Sequence, residues 1–218
     1  MSHPSKVAEL QQARVKGYEV HVFFLATDNP SINVQRVALR VASGGHDVPQ
    51  DRIRARYERT LSLAPSALSL ADQAYVYDNS DSERGLQAQA QLVDQRLILK
   101  THMPARWVDT LVTRYDERVD ELDRLAERAM HMGSMLQAAR LRDSSTDGPV
   151  TLLGSRYALQ EDLRTGALVF HDRDLLPGTS LKAGQMMRIA YADGVAAVEA
   201  VRPDPERHGG RVEGRRQK

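Results

Sequence analysis

The sequence predicts an α/β fold: a partial parallel sheet, then a long helix and a small antiparallel β domain. Three observations carry this expectation. Tyr18 to Ala26, YEVHVFFLA, is a nearly continuous apolar run rich in β-branched and aromatic residues, set between helical patterns. The stretch 104–143 has no proline beyond its first residue and is rich in helix formers. From Val150 onward, short alternating runs are punctuated by LRTG, LPGTS, KAGQ and ADG.

The elements follow in order. Ser2 to Gly17 reads as a helix, with Pro4 near its start, Val7, Leu10 and Val15 at roughly helical spacing, and Gly17 as the stop. The run 18–26 is expected to be a central parallel strand buried on both faces. TDNPS then turns the chain into a helix whose apolar side is Ile32, Val34, Val37 and Val41. Pro49 opens a further helix with Ile53, Tyr57 and Leu61 on one face. QAYVYDNS, 73–80, is a second short strand, and LQAQAQLVDQRLILKTH has the alternation of a hairpin or edge strand. Trp107, Leu111, Tyr115, Val119, Leu122 and Leu125 recur every three or four residues, as one long helix or two pieces broken near Gly133. SSTDGP at 144–149 reads as a linker or turn. The remainder reads as a barrel-like β module over 148–201, and 202–218 as a disordered basic tail. The domains expected are therefore 1–103, 104–143, 148–201 and the tail.

Composition bounds the function classes. The 218 residues carry 30 Lys+Arg against 29 Asp+Glu, so bulk charge calls for neither nucleic acid nor membrane. The absence of cysteine rules out disulfides and thiolate metal sites. No apolar run approaches the ~18 residues of a membrane span, and no signal peptide is visible. The expectation is a soluble cytoplasmic protein without a membrane partner. No HxxxH or HExxH spacing appears, so no metal ligands are assigned.

Charge is nonetheless uneven. Residues 36–59 hold six arginines against three acids, around a loop of Gly44, Gly45, His46, Asp47, Val48 and Pro49. Arg36 and Arg40 lie one helical turn apart, and Arg52, Arg56 and Arg59 share a face of the next helix. Guanidiniums are fork-shaped and permanently charged, which suits phosphate. The competing description is a solvated face paired with Asp51 and Glu58. His46 has two readings, a phosphate or substrate contact and a turn residue. Asn79, at a strand end, is either a base or ribose contact or part of an Asx turn. His131 and His171 read as structural.

SHPSK followed by a helix, GYEVHVFFL, RVALRVASGGHDVPQDRIRARYER and YVYDNS resemble, in that order, the later half of the zeta toxin family of P-loop kinases. The resemblance covers roughly residues 2–100. It implies a P-loop-kinase-like parallel sheet, ATP with Mg as cofactors, and phosphorylation of a nucleotide sugar, UDP-N-acetylglucosamine. An antitoxin protein is the partner it implies. Arg40 and Arg56 match the family's lid arginines; Arg59 is expected to be an ordinary surface residue, as is Arg54. Arg36, His46, Arg52 and Asn79 are then candidates for substrate or nucleotide binding. No GxxxxGK[ST] occurs in the 218 residues, whereas in the family that loop and the catalytic acid precede SHPSK. The expectation is a family sequence begun late (a fragment, a misplaced start or a remnant) without unaided kinase activity. Residues 148–195 resemble the small KfrB-type domain of plasmid and mobile-element proteins. The alternative function is thus a non-catalytic interaction protein of such an element, with nucleic acid left open as a partner of the basic tail.

Overall fold

The computed structural model describes residues 2–178 and 181–201. The tail 202–218 lies outside the described residues. The chain runs α1 (Ser5–Val15), β1 (His21–Ala26), α2 (Pro30–Ala42), α3 (Gln50–Leu68), β2 (Gln73–Asp78), β3 (Gln87–Val93), β4 (Arg96–Leu99) and α4 (Arg106–His131). It continues through β5 (Leu136–Ala138), β6 (Ser144–Leu153), β7 (Tyr157–Glu161), β8 (Leu168–Asp172), β9 (Met186–Ala192) and β10 (Val195–Ala200). The fold is mixed α/β, with two sheets.

The first sheet has the order β1-β2-β3-β4. Only β1 and β2 are parallel, in register from His21↔Gln73 to Ala26↔Asp78; β3 and β4 add antiparallel. The β3–β4 hairpin closes on Asp94 and Gln95, both at positive φ (48° and 60°), the two-residue turn whose twist suits a hairpin. Helices α3 and α4 cover one face, burying Val22, Phe24, Leu68, Val76, Trp107, Leu111 and Tyr115 together. That leaves the expectation for β1 to be corrected. It is an edge strand with alternating burial, and Phe23 and Leu25 are 61% and 43% exposed. The reason is physical: a strand is buried on both faces only between two layers, and here one helical layer is present. Phe23 stacks on Tyr75 at 5.1 Å between ring centroids, so the open face keeps an aromatic pair.

α4 is the spine of the molecule. Its stripe of Trp107, Leu111, Tyr115, Arg118, Leu125 and Ala129 stays on one side because successive steps are three or four residues, or seven. The first half of the helix packs into the core beneath the first sheet. Leu125 and Ala129 pack with Tyr157, Leu159 and Leu168 of the second. The helix stops at Gly133, φ +64°, where Gly133 N donates to Met130 O and Ser134 N to Ala129 O, both at 3.0 Å.

The second sheet has the order β10-β9-β6-β7-β8-β5. Residues 144–149, expected as a linker, are instead the first half of β6 and pair with β9; residues 150–153 pair with β7. Turn-forming residues here serve a strand that changes partner midway. A Cβ on Gly148 would lie 1.9 Å from the Glu161 carbonyl oxygen, so this crossing needs a glycine. β5 is a further strand within the stretch expected to be helical, and it pairs parallel with β8. In the described residues β10 and β5 are separate edges, so the sheet is open where a barrel-like closure was expected.

Polar groups lock the two halves together. Arg118, 1% exposed, is held between Asp172 and Asp174, with its guanidinium 5.0 Å from the centroid of the Tyr157 ring. Arg114 shares Asp174 at 3.0 Å. One turn on, the Glu121 carboxylate accepts from Ser155 N, Ser155 Oγ, Arg156 N and Tyr157 N at 2.6–3.0 Å. Burial disfavours its charge, yet those hydrogen bonds outweigh burial and hold its carboxyl below the ordinary value. Gly154 leaves the room, since a Cβ there would lie 1.9 Å from Glu121 Oε1. Replacing Glu121 with Gln puts an amide donor among main-chain donors, and we expect a loss of about 2 kcal/mol in urea denaturation. α1 joins the same lock, because Gln11 bonds Ala139 O and Leu141 N, each at 2.8 Å.

His171, expected to be structural, is only half satisfied. It is fully buried and shares a hydrogen bond between Nδ1 and the Tyr191 hydroxyl at 3.1 Å, while Nε2 has no partner. Burial pushes its pKa from 6.5 down to about 4. Between those values the unfolded chain takes up a proton that the folded chain refuses. Stability therefore falls as the pH drops from 6.5 to about 4, by about 3 kcal/mol in all, and flattens below. Denaturation midpoints across this window should show that slope, and His171→Phe should flatten it.

Candidate functional site

The carboxyl end of β1 opens into a cleft of about 870 Å³ between α2 and α3. Ligands in open α/β sheets bind at this end of the strands. The local sequence builds the opening. Asn29 accepts Ser31 N at 2.8 Å and caps α2, with Pro30 in the first helical position. α2 has no fully buried residue and packs chiefly on α3, so it forms one wall as an arm standing off the core.

The floor is neutral and polar. Asn33 Nδ2 donates to Thr27 Oγ1 at 3.0 Å, and the Tyr57 hydroxyl donates to Thr27 O at 2.8 Å. Burial, with Asp28 nearby, pushes the Tyr57 hydroxyl up to about 12, so it remains a donor at neutral pH. Asn79 lines the cleft beside them, and its main-chain N–H donates to Ala26 O at 2.8 Å. Behind it Trp107 Nε1 donates to Asp78 Oδ1 at 3.0 Å, fixing the strand end to α4.

The walls carry the charge. Arg36 and Arg40 come from α2, and Arg52, Arg56 and Arg59 from α3, against two carboxylates in the lining, Asp47 and Asp51. None of the five guanidiniums makes an ion pair among the described residues. Arg36 reaches the Ser80 carbonyl at 3.4 Å and Arg40 the His46 carbonyl at 3.2 Å. Such a cluster repels itself, and an anion between the walls relieves that repulsion with forked hydrogen bonds.

Arg36, Arg40, Arg52, Arg56 and Asn79 thus line one cleft. The His46 side chain is outside the lining; its contribution is the carbonyl that Arg40 grips. Arg59 is exposed, as expected of a surface residue, and it also lines the cleft. Arg54 stands outside it and reaches Ser31 Oγ at 3.4 Å. Thr27, Asn33 and Tyr57 were missed. Nothing in their spacing marks them, since Thr27 and Tyr57 meet only when α3 folds back on the strand end. The described residues hold no group of three or more His, Asp or Glu fit for a metal.

Fold and cleft together define a two-sheet α/β chain with an arginine-walled cleft on the first sheet. Its second module matches a known domain: the KfrB domain model covers residues 145–200. An uncharacterized protein of Haemophilus influenzae is 32% identical over 57 residues, 26% of this chain. That stretch spans 41% of the relative's length. No solved structure matches.

Proposed function

We propose that the first module binds the phosphates of a nucleotide sugar, as the substrate wall and lid of a zeta-toxin-type phosphotransferase. The single observation behind this is the five arginines, without acidic partners among the described residues, that line the cleft at the end of β1. The polar floor of Thr27, Asn33 and Asn79 suits the hydroxyls of a sugar or ribose. UDP-N-acetylglucosamine carries both chemistries. The ATP and Mg that such a reaction uses find no fit here, for the described residues offer neither a phosphate-cradling GxxxxGK[ST] loop nor an acidic cluster. This chain by itself is therefore expected to transfer no phosphate from ATP. ATP turnover by the purified chain that disappears with Arg40→Ala would contradict that expectation. Phenylglyoxal labelling tests the cleft: UDP-N-acetylglucosamine should protect Arg36, Arg40, Arg52 and Arg56 and leave Arg54 reactive. Equal labelling of all five with and without ligand would defeat the proposal.

A second reading rests on the KfrB domain match. In it the chain is a non-catalytic interaction protein of a plasmid or mobile element, and the second sheet with α4 holds the partner. Partner capture by the full chain that survives Arg40→Ala together with Arg56→Ala would favour this reading.

A further inference from the structure

Building on the anion cleft proposed above, we propose that Gly45 is a positioning residue for Arg40: the second glycine of the α2 stop, with the His46 carbonyl, aims that guanidinium into the cleft. α2 ends in a Schellman closure. Gly44 is left-handed at φ +88°, its N–H donates to Val41 O, and Gly45 N donates to Arg40 O, each at 2.9 Å. The closure lays Gly45 against the Arg40 stem. A Cβ at position 45 would fall 2.7 Å from Arg40 Cγ and 2.9 Å from the Arg40 carbonyl oxygen. The side-chain atom can swing away only by moving the guanidinium, and the main-chain oxygen cannot swing at all.

Gly44 is needed for a different reason. A Cβ there meets nothing within 4 Å, so only its left-handed conformation matters, which asparagine tolerates. One glycine therefore makes the turn and the other makes room for the arginine. The next carbonyl, His46 O, takes Arg40 Nη2 at 3.2 Å. That contact holds the guanidinium from the loop side and leaves its other N–H groups for an anion. Arg40 is exposed and makes no ion pair among the described residues, so the close approach of Gly45 and the His46 carbonyl set its direction.

Calorimetric titration of the full chain with inorganic pyrophosphate tests this. Gly45→Ala should weaken binding about tenfold, as Arg40→Ala does. The double variant should bind no more weakly than either single one, because both remove the same interaction. Gly44→Asn should bind like the wild type. A folded Gly45→Ala chain with wild-type affinity, or losses that add in the double variant, overturns the proposal and leaves the cleft intact. Failure of the wild-type chain to bind pyrophosphate overturns the cleft itself and this inference with it. Should Gly45→Ala not fold, hydrogen exchange decides on the wild type. Pyrophosphate should slow exchange over residues 43–48, and Arg40→Ala should abolish the slowing; unchanged exchange in the wild type overturns the proposal.

Discussion

Arg118→Ala is expected to lower the unfolding free energy by about 3–5 kcal/mol, the largest single-residue loss in this protein. Arg118 is 1% exposed and pairs with Asp172 and Asp174 at the junction of the two sheets, with Arg114 sharing Asp174. Its removal takes the guanidinium partner from the half-buried Asp172, leaves Asp174 to Arg114 alone, and opens a cavity beneath the Tyr157 ring. Urea denaturation checks this through the fluorescence of Trp107, the only tryptophan, which reports on the first core. Arg96→Ala is the control. Arg96 pairs with Asp116 and Asp120 in solvent, so its loss should stay within about 1 kcal/mol. A loss below about 1 kcal/mol for Arg118→Ala would mean that the halves are not locked there.

Arg40→Ala and Arg56→Ala should each weaken binding of a nucleoside diphosphate sugar by about 1.5–3 kcal/mol, roughly ten- to a hundredfold. They stand on opposite walls, Arg40 on α2 and Arg56 on α3, and the double variant should bind more weakly than either single one. If an upstream P-loop half is supplied in the same chain, each should raise the barrier to phosphate transfer by about 3 kcal/mol. Arg54→Ala, whose guanidinium reaches Ser31 outside the cleft, should change neither quantity. Calorimetry and a coupled ATPase assay read the two effects. Equal losses from Arg54→Ala would show that only bulk charge is at work.

Local signals in the sequence were legible where the physics is local. Periodicity placed α1, α3 and the first half of α4, Asp94-Gln95 sits between two alternating runs, and the arginine spacing on α3 put Arg52 and Arg56 on one face. Contacts between distant segments were not legible. β1 read as a central strand because an apolar run does not record how many layers cover it, and Phe23 is exposed for want of a second layer. SSTDGP read as a linker because glycine and proline also serve where one strand crosses between two partners. Arg118 and Glu121 looked like ordinary charges on a helix; their partners lie 34 or more residues away, on the loop and turn flanking β7 and β8. Of the candidate site, the wall arginines and Asn79 could be read, whereas Thr27 and Tyr57 could not, since they meet only when α3 folds back on the strand end.

The most direct measurement is calorimetric titration of the wild-type chain with UDP-N-acetylglucosamine at low and at high salt, beside N-acetylglucosamine alone. An arginine-walled phosphate cleft predicts saturable one-to-one binding of the nucleotide sugar. That binding should weaken steeply as salt rises through the range where the Debye length shrinks below about 10 Å, and the neutral sugar should give no heat. No saturable binding of UDP-N-acetylglucosamine at low salt, or binding unchanged when Arg36, Arg40, Arg52 and Arg56 are all replaced by Ala, would contradict it.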